Sequence, residues 1–175
     1  MRYVIVCVVK GEAGRFNNEM RRDIFKKFNA KSSKLPAHFT IKAPFEYEGS
    51  IGELEEELFK FCKEEQKAPF IMDKYNHFDD RVIFMDVNMS KEGKELHDRL
   101  IDLLAKFDYI KFNKKDGKNK KFHVTLTSKK VPPMFDKLWN YVNLYNFNFN
   151  CYFDNVSIFK WEDKTWKLYR EYRIK

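Results

Sequence analysis

Several features that would mark other classes of protein are scarce or missing. The 175 residues include only 6 glycines and no glycine-rich phosphate loop, which argues against a Walker or Rossmann nucleotide site. No apolar run approaches the ~20 residues that a membrane-spanning helix requires, so we expect no membrane association. Residues 1–9 form a short apolar run without a cleavage site, which predicts a first strand rather than a signal peptide.

Cysteine is also scarce. Cys7, Cys62 and Cys151 are widely spaced in apolar surroundings, a pattern that fits neither a disulfide framework nor a zinc knuckle. We therefore expect buried free thiols in a reducing, cytoplasmic environment. The histidines lack the helical i, i+4 spacing and the acidic neighbours of a metal site, so we expect neither a metal nor another cofactor.

The composition otherwise suits one domain over residues 1–175, which we expect to be a monomer. Hydrophobic residues make up 43% of the chain, and 18 phenylalanines supply material for a packed core. The net charge is +8, and six lysines against Asp116 alone fall in residues 111–121, which we name the lysine-rich loop. Such a segment indicates a polyanionic partner, RNA above all, with a solvated mobile loop as the alternative.

Hydrophobic periodicity predicts alternating helices and strands. Helices are predicted over residues 16–28, 51–65 and 92–107, and a fourth begins at Pro132-Pro133. Strands are predicted over residues 2–9, 38–45, 69–77, 81–88, 122–128, 147–160 and 165–174. The last two form a long hairpin in this prediction. The order strand, helix, His-x-Thr strand, helix, strand occurs over residues 2–77 and again over 81–159, before the closing strand 165–174.

Each repeat carries one three-residue motif, His38-Phe39-Thr40 in the first and His123-Val124-Thr125 in the second. Because alternate side chains of a strand share a face, each motif presents an imidazole and a hydroxyl together. Facing each other across a cleft, these groups suit phosphoryl chemistry without a metal. One neutral histidine takes a proton from water, and the other protonates the leaving oxygen as an imidazolium. The threonine hydroxyls donate to the non-bridging oxygens.

The segments 35–45 (LPAHFTIKAPF) and 122–126 (FHVTL) resemble the two signature motifs of the 2H phosphoesterase superfamily. That resemblance implies a bilobal, pseudo-symmetric α+β fold with two mainly antiparallel sheets flanking a central cleft and helices on the outside. It implies catalysis without a metal on 2′,3′-cyclic phosphates, related cyclic ADP-ribose phosphates or 2′-5′ linkages. By position, His38 and His123 would be the acid–base pair, and Thr40 and Thr125 would bind the phosphate. Which histidine is the acid stays open.

Three lysines are further candidates for substrate binding. Lys42 shares a strand face with the first motif and is placed to reach a phosphate, with snorkelling at the rim as the equal alternative. Lys120 and Lys121 precede the second motif and are placed to contact a nucleic-acid backbone, unless the loop is merely solvated. We expect surface positions for His77, beside a turn, and for His97, on the polar side of the third helix.

These features predict a metal-independent phosphodiesterase that hydrolyses 2′,3′-cyclic phosphates or related RNA and nucleotide phosphodiesters, including 2′-5′ linkages. In the family that the chain resembles, opening of the cyclic phosphate to a 2′-phosphate is the commonest hydrolysis. Three alternatives remain. The chain is a non-catalytic RNA-binding module, it is an RNA ligase that runs the reverse chemistry with the same residues, or both motifs are merely structural.

Overall fold

The computed structural model describes all 175 residues as a mixed α+β fold. The ten strands are β1 (Arg2–Val8), β2 (His38–Glu46), β3 (Ala68–Met72), β4 (Tyr75–Phe78), β5 (Val82–Asp86), β6 (Asn88–Met89), β7 (His123–Thr127), β8 (Phe149–Phe153), β9 (Asn155–Glu162) and β10 (Thr165–Arg173). The helices are α1 (Gly11–Phe28), α2 (Gly52–Glu64), α3 (Lys91–Leu104) and α4 (Phe135–Val142), the last preceded by a 3₁₀ turn (Pro132–Met134). None of these helices has both the length and the apolar composition needed to span a bilayer.

The strands form three sheets, and every pairing within them is antiparallel. One sheet has the order β10-β9-β1-β2, the second β6-β3-β8 and the third β4-β5-β7. The family resemblance implies two sheets, and the sequence predicts one continuous strand over residues 69–77 and another over 81–88. Instead each is interrupted, at residues 73–74 and at Val87, which distributes the pieces over two sheets. The Asp86 amide still donates to the Lys74 carbonyl at 2.9 Å across the interruption, so the hairpin itself is continuous.

The predicted strand 147–160 is also wrong as a single element. It divides at Asp154 into β8, which pairs with β3, and β9, which pairs with β1 and β10. The chain changes sheets at this corner because the fully buried Asn155 fixes it: its side chain accepts from the Val8 amide at 3.0 Å and donates to the Val8 carbonyl at 2.9 Å. The second part of the predicted hairpin forms as β9 and β10, with a turn at Asp163 and Lys164.

The helices differ from the prediction mainly at their ends and in one buried residue. α1 begins at Gly11 rather than residue 16, and Ser90 caps α3 by accepting from the Gly93 amide at 3.0 Å. His97, predicted at the surface, is only 2% exposed. It shares the buried face of α3 with Gly93, Leu100 and Ile101, so the apolar stripe of this helix is wider than its leucines alone indicate.

One hydrophobic core of 40 buried residues draws on all four helices and all three sheets. Cys7 and Cys62 are buried and Cys151 is half-buried, and all three are free thiols. The order strand, helix, His-x-Thr strand, helix, strand occurs from β1 to β3 and again from β5 to β8, with the short β6 and the 3₁₀ turn inserted in the second series.

A buried ion pair anchors the lysine-rich loop. The ammonium of Lys42 on β2 lies 2.6 Å from Asp116, and the two side chains are 3% and 1% exposed. Asp116 also accepts from the backbone amides of Ala43 at 3.1 Å and Asn113 at 2.8 Å. Burial favours the neutral carboxyl, but the hydrogen bonds from Lys42 and the two amides outweigh it and lower the pKa of Asp116. The single acidic residue of the loop therefore joins it to the first motif strand.

Removing the Asp116 charge should destabilise the whole protein. In Asp116→Asn the Lys42 ammonium remains buried without a counter-charge, which costs about 3–5 kcal/mol when one partner of a buried pair is lost. Urea denaturation measures the free energy of unfolding. Asp102→Asn is the matched control, because Asp102 pairs with Lys118 of the same loop at 2.6 Å but is 65% exposed. Equal stability of the two variants would contradict the anchoring role.

Candidate active site

The two His-x-Thr motifs lie on edge strands that belong to different sheets and stand beside each other. β2 ends the four-stranded sheet and β7 ends the sheet β4-β5-β7. Behind them, the fully buried Phe39 packs edge-to-face on Phe122 with ring centroids 5.5 Å apart. Phe39 follows His38 in the chain and Phe122 precedes His123, so this contact holds the two motifs together from the core side.

Each motif has the alternation that the sequence predicts. His38 and Thr40 are half-buried, whereas Phe39 and Ile41 are fully buried. On β7, His123 and Thr125 are half-buried, and the residues between and after them are buried. Neither threonine hydroxyl makes a hydrogen bond to the protein, so both are free to donate to a ligand. His123 also packs on Phe78, with ring centroids 4.9 Å apart.

The two imidazoles are held in the same way. Nδ1 of His38 lies 2.7 Å from the carbonyl of Pro36, and Nδ1 of His123 lies 2.9 Å from the carbonyl of Lys121, in each case two residues earlier. A carbonyl can only accept, so each Nδ1 carries a proton and donates it. In the neutral ring Nε2 is then the basic nitrogen. Both histidines are thus fixed in the tautomer that leaves Nε2 for proton transfer.

The surroundings favour neutral imidazoles in the free protein. Burial lowers the pKa of His38 to about 4, against the hydrogen bond to Pro36, and the positive charges of Arg21, His123 and Lys120 lower it further. Burial also lowers the pKa of His123, and Lys120 again contributes in the same direction. An anion entering the site would reverse these shifts by stabilising the charged form.

The three candidate lysines occupy different positions. Lys42 contacts neither the rim nor the solvent, because its ammonium is buried on Asp116. Lys121 pairs with Asp86 at 2.7 Å. The charge of Lys120 lowers the pKa of both His38 and His123, and its ammonium forms no ion pair and lies 5.8 Å from the ring centroid of Phe122. Burial lowers the pKa of Lys120 to about 8, which leaves it mainly charged at neutral pH. Lys120 is therefore the unpaired cation beside the two motifs.

Helix α1 supplies positioning residues that the sequence reasoning missed. Nδ2 of the fully buried Asn17 donates to the Thr125 carbonyl at 3.2 Å, and Oδ1 of Asn18 accepts from the amide of Ala37 at 3.3 Å. Arg21 donates to the Leu35 carbonyl at 2.8 Å. One helix thus holds the backbone of both motifs. A signal existed, since Asn17 lies at helical spacing within the buried stripe of Ala13, Met20 and Ile24, where a polar residue needs a partner.

His77 lies apart from this site. It is exposed, its Nδ1 contacts the Asp79 carbonyl at 2.7 Å, and its ring packs on Phe135 and Trp139. No group of three or more histidine, cysteine, aspartate or glutamate side chains is arranged to hold a metal ion. The two motifs present two Nε2 atoms and two free hydroxyls, and Lys120 is an ammonium without an ion pair; groups of these kinds are able to bind an anion and to transfer protons.

Comparison with known proteins identifies a family and relatives that this chain resembles. A family model described as the 2′-5′ RNA ligase superfamily matches residues 12–165. The chain is 24% identical over 153 residues to an inferred phosphoesterase of Oceanobacillus iheyensis, covering 84% of this chain and 85% of that protein. It is 23% identical over 180 residues to an inferred phosphoesterase of Geobacillus sp. strain WCH70, covering 99% and 96% of the two chains.

Solved structures share the fold. A crystal structure of a Thermus thermophilus protein, TT0787, has a TM-score of 0.68 and 13% identity, covering 99% of this chain and 98% of that one. E. coli LigT complexed with NADP+ has a TM-score of 0.63 and 11% identity, covering 99% and 97%. These likenesses confirm the α+β fold class, and the family model confirms the resemblance to the 2H phosphoesterases. The chain belongs to the 2′-5′ RNA ligase superfamily.

Proposed function

We propose that the protein is a two-histidine phosphodiesterase that opens terminal 2′,3′-cyclic phosphates of RNA or of nucleotides, with 2′-5′ linkages as related substrates. The observation that carries the proposal is the matched pair of Nδ1–carbonyl hydrogen bonds, 2.7 Å in one motif and 2.9 Å in the other. Two strands from different sheets fix their histidines in the same tautomer, with Nε2 left over in both. His77 makes the same kind of contact, with the carbonyl of Asp79 at 2.7 Å, but has no threonine two residues on, whereas each motif adds a free hydroxyl on the same face of its strand.

The proposed reaction is an in-line displacement at phosphorus. Nε2 of one neutral histidine accepts a proton from water as the water oxygen bonds to phosphorus. As the bond from phosphorus to the ribose O3′ breaks, the other histidine, an imidazolium, gives its Nε2 proton to that oxygen. The product is a 2′-phosphate. Each Nδ1 keeps its proton and its hydrogen bond to the carbonyl throughout, so the rings keep their orientation while only Nε2 changes protonation.

The remaining groups of the site bind the phosphate. The free hydroxyls of Thr40 and Thr125 donate to the non-bridging oxygens, and the ammonium of Lys120 supplies the compensating charge. Binding the anion also raises the histidine pKa values that burial has lowered, so the acid becomes protonated when the substrate is in place. The bound phosphate therefore favours the protonated histidine that the proposed hydrolysis requires.

The proposed substrate class has support among the structural relatives. E. coli LigT has been crystallised with 3′-AMP, with phosphate and with ATP. Ligation would use the same residues for the reverse of 2′-5′ cleavage: the 5′-hydroxyl of a second RNA, in place of water, bonds to phosphorus as the bond to O3′ breaks. A non-catalytic RNA-binding module is favoured by one observation, the three exposed lysines Lys111, Lys114 and Lys115, which form no ion pair within the loop.

Loss of either motif histidine should abolish most of the activity without unfolding the protein. In His38→Ala and in His123→Ala we expect turnover of an oligoribonucleotide with a 2′,3′-cyclic end to fall by about 10² to 10⁴, the usual contribution of a general acid or base. Assays contain EDTA, and circular dichroism checks folding. His77→Ala is the matched control and should keep full activity, because His77 lies outside the site.

The same assay on the unmodified protein distinguishes hydrolysis from RNA binding without cleavage and from ligation. Absence of turnover, together with RNA binding that weakens steeply with salt, would replace the phosphodiesterase by a binding module, because phosphate contacts release counterions. A joined product when RNA with a 5′-hydroxyl is added would establish the ligase direction. Unfolding of both histidine variants would show that the motifs are structural.

The pH dependence should reveal the lowered pKa values. The profile of kcat/KM reports the free protein, in which the pKa of His38 is about 4 and that of His123 lies below its ordinary value of 6.5. The base must be deprotonated and the acid protonated, so both limbs of the bell should lie below pH 6.5, whichever histidine is the base. Initial rates over about pH 4 to 9 test this, and a maximum above pH 6.5 would contradict it.

A further inference from the structure

A recess beside the candidate active site has the groups of a second anion site. It has a volume of about 330 Å³ and is lined by Lys94, His97, Asp98, Asn119, Lys120 and Phe122. Two of these residues connect it with the catalytic groups. Lys120 is the unpaired cation next to the motif histidines, and Phe122 immediately precedes His123 and packs edge-to-face on His97 at 4.8 Å.

His97 is the unusual residue of the recess. Its side chain is 2% exposed, yet neither ring nitrogen makes a hydrogen bond to the protein, and Nε2 is fully buried. A buried polar atom without a partner is costly, so such atoms are rare and usually have a role. As a neutral ring, His97 offers one N–H donor to a group that occupies the recess. Burial lowers its pKa to about 3, and the nearby charge of Lys120 lowers it further.

The charges around the recess suit an anion. Lys94 and Lys120 form no ion pair. One carboxylate, Asp98, lines the recess, and Asp116, which acts on Lys120, is already paired with Lys42. A second recess of about 490 Å³ adjoins the first, because both are lined by Lys94, Lys120 and Phe122. The additional lysines there are already neutralised in part, since Lys121 lies 2.7 Å and Lys74 lies 4.0 Å from Asp86. The uncompensated positive charge is thus concentrated at Lys94 and Lys120.

We propose that this recess binds a second phosphate of the substrate, one that flanks the reacting phosphate, through Lys94, Lys120 and the free nitrogen of His97. The inference rests on the proposed function, because the reacting phosphate is the one that the two motifs would bind, and Lys120 would contact both phosphates. The ligand chemistry is a nucleotide that carries two phosphate groups. The second group is either the next phosphodiester along an RNA strand or the 5′-phosphate of a mononucleotide.

Three substrates that differ in their phosphates test the proposal. They are adenosine 2′,3′-cyclic phosphate, the same compound with a 5′-phosphate, and the dinucleotide ApA with a 2′,3′-cyclic end. We expect kcat/KM to be at least about tenfold higher for one of the two-phosphate substrates, the effect of one charge-assisted hydrogen bond. Which of the two gains identifies the source of the phosphate. A dinucleotide with an uncharged methylphosphonate linkage keeps both bases and should lose the gain.

Variants of α3 test whether the preference for two-phosphate substrates arises in the recess. Lys94→Gln should reduce the ratio of kcat/KM between two-phosphate and one-phosphate substrates to near one, and His97→Leu should lower it. Lys91→Gln is the matched control, because Lys91 lies one turn away on α3, is 85% exposed, and does not line the recess. No preference in the parent, or a preference that Lys94→Gln keeps, would overturn the proposal.

A binding measurement separates this proposal from the proposed function. Inorganic phosphate is titrated into the parent protein while the ring resonances of each histidine are followed by NMR. Shifts of His97 that disappear in Lys94→Gln would support the recess even if the protein hydrolyses nothing. If the His38 and His123 resonances respond but those of His97 do not, the recess is refuted and the active site stands. Because the titration needs no turnover, failure of one proposal is distinguishable from failure of the other.

Discussion

The apposition of two edge strands from different sheets is the constraint on which the site depends, and the packing of Phe39 maintains it. No backbone hydrogen bonds join β2 to β7 as a ladder, so side chains must hold them together. Phe39 is fully buried and meets Phe70, Phe122 and Phe153 edge-to-face, with ring centroids between 5.1 and 5.7 Å apart. Each such pair contributes about 0.5–1.5 kcal/mol beyond the burial of its area. Phe39 therefore links the first motif to β3, to β8 and to the residue that precedes β7.

Polar interactions then fix the backbone of the two motif strands, which the aromatic core packs together. Asn17 and Asn18 of α1 each bind the backbone of one motif, and Asp116 draws the lysine-rich loop onto Lys42. Lys120 follows Asp116 in this loop and forms no ion pair, and its charge acts on both motif histidines. Burial and the neighbouring positive charges keep the imidazoles neutral until an anion arrives. In the proposed function, the same positive charges would bind the phosphate, and the bound anion would in turn raise the histidine pKa values.

The sequence predicts the elements that have strong local periodicity and fails where tertiary contacts decide. Both motif strands and the i, i+2 placement of their histidines and threonines follow from the alternation of apolar residues around them. The break at residues 73–74 and the change of sheet at Asp154 do not, because each depends on hydrogen bonds to distant strands. Burial of Lys42 could not be foreseen either, since its partner Asp116 is 74 residues away in the chain. The sequence around a lysine does not indicate whether its ammonium lies at a rim or in a buried ion pair.

Both motifs act on one phosphate in the proposed function, and a crystal structure with bound inorganic phosphate would show whether they bind it together. We expect one phosphate that lies within hydrogen-bond distance of Nε2 of both His38 and His123 and accepts hydrogen bonds from the hydroxyls of Thr40 and Thr125, with both Nδ1–carbonyl hydrogen bonds intact. A phosphate bound by one motif alone, or an imidazole turned so that Nε2 faces the protein, would contradict it.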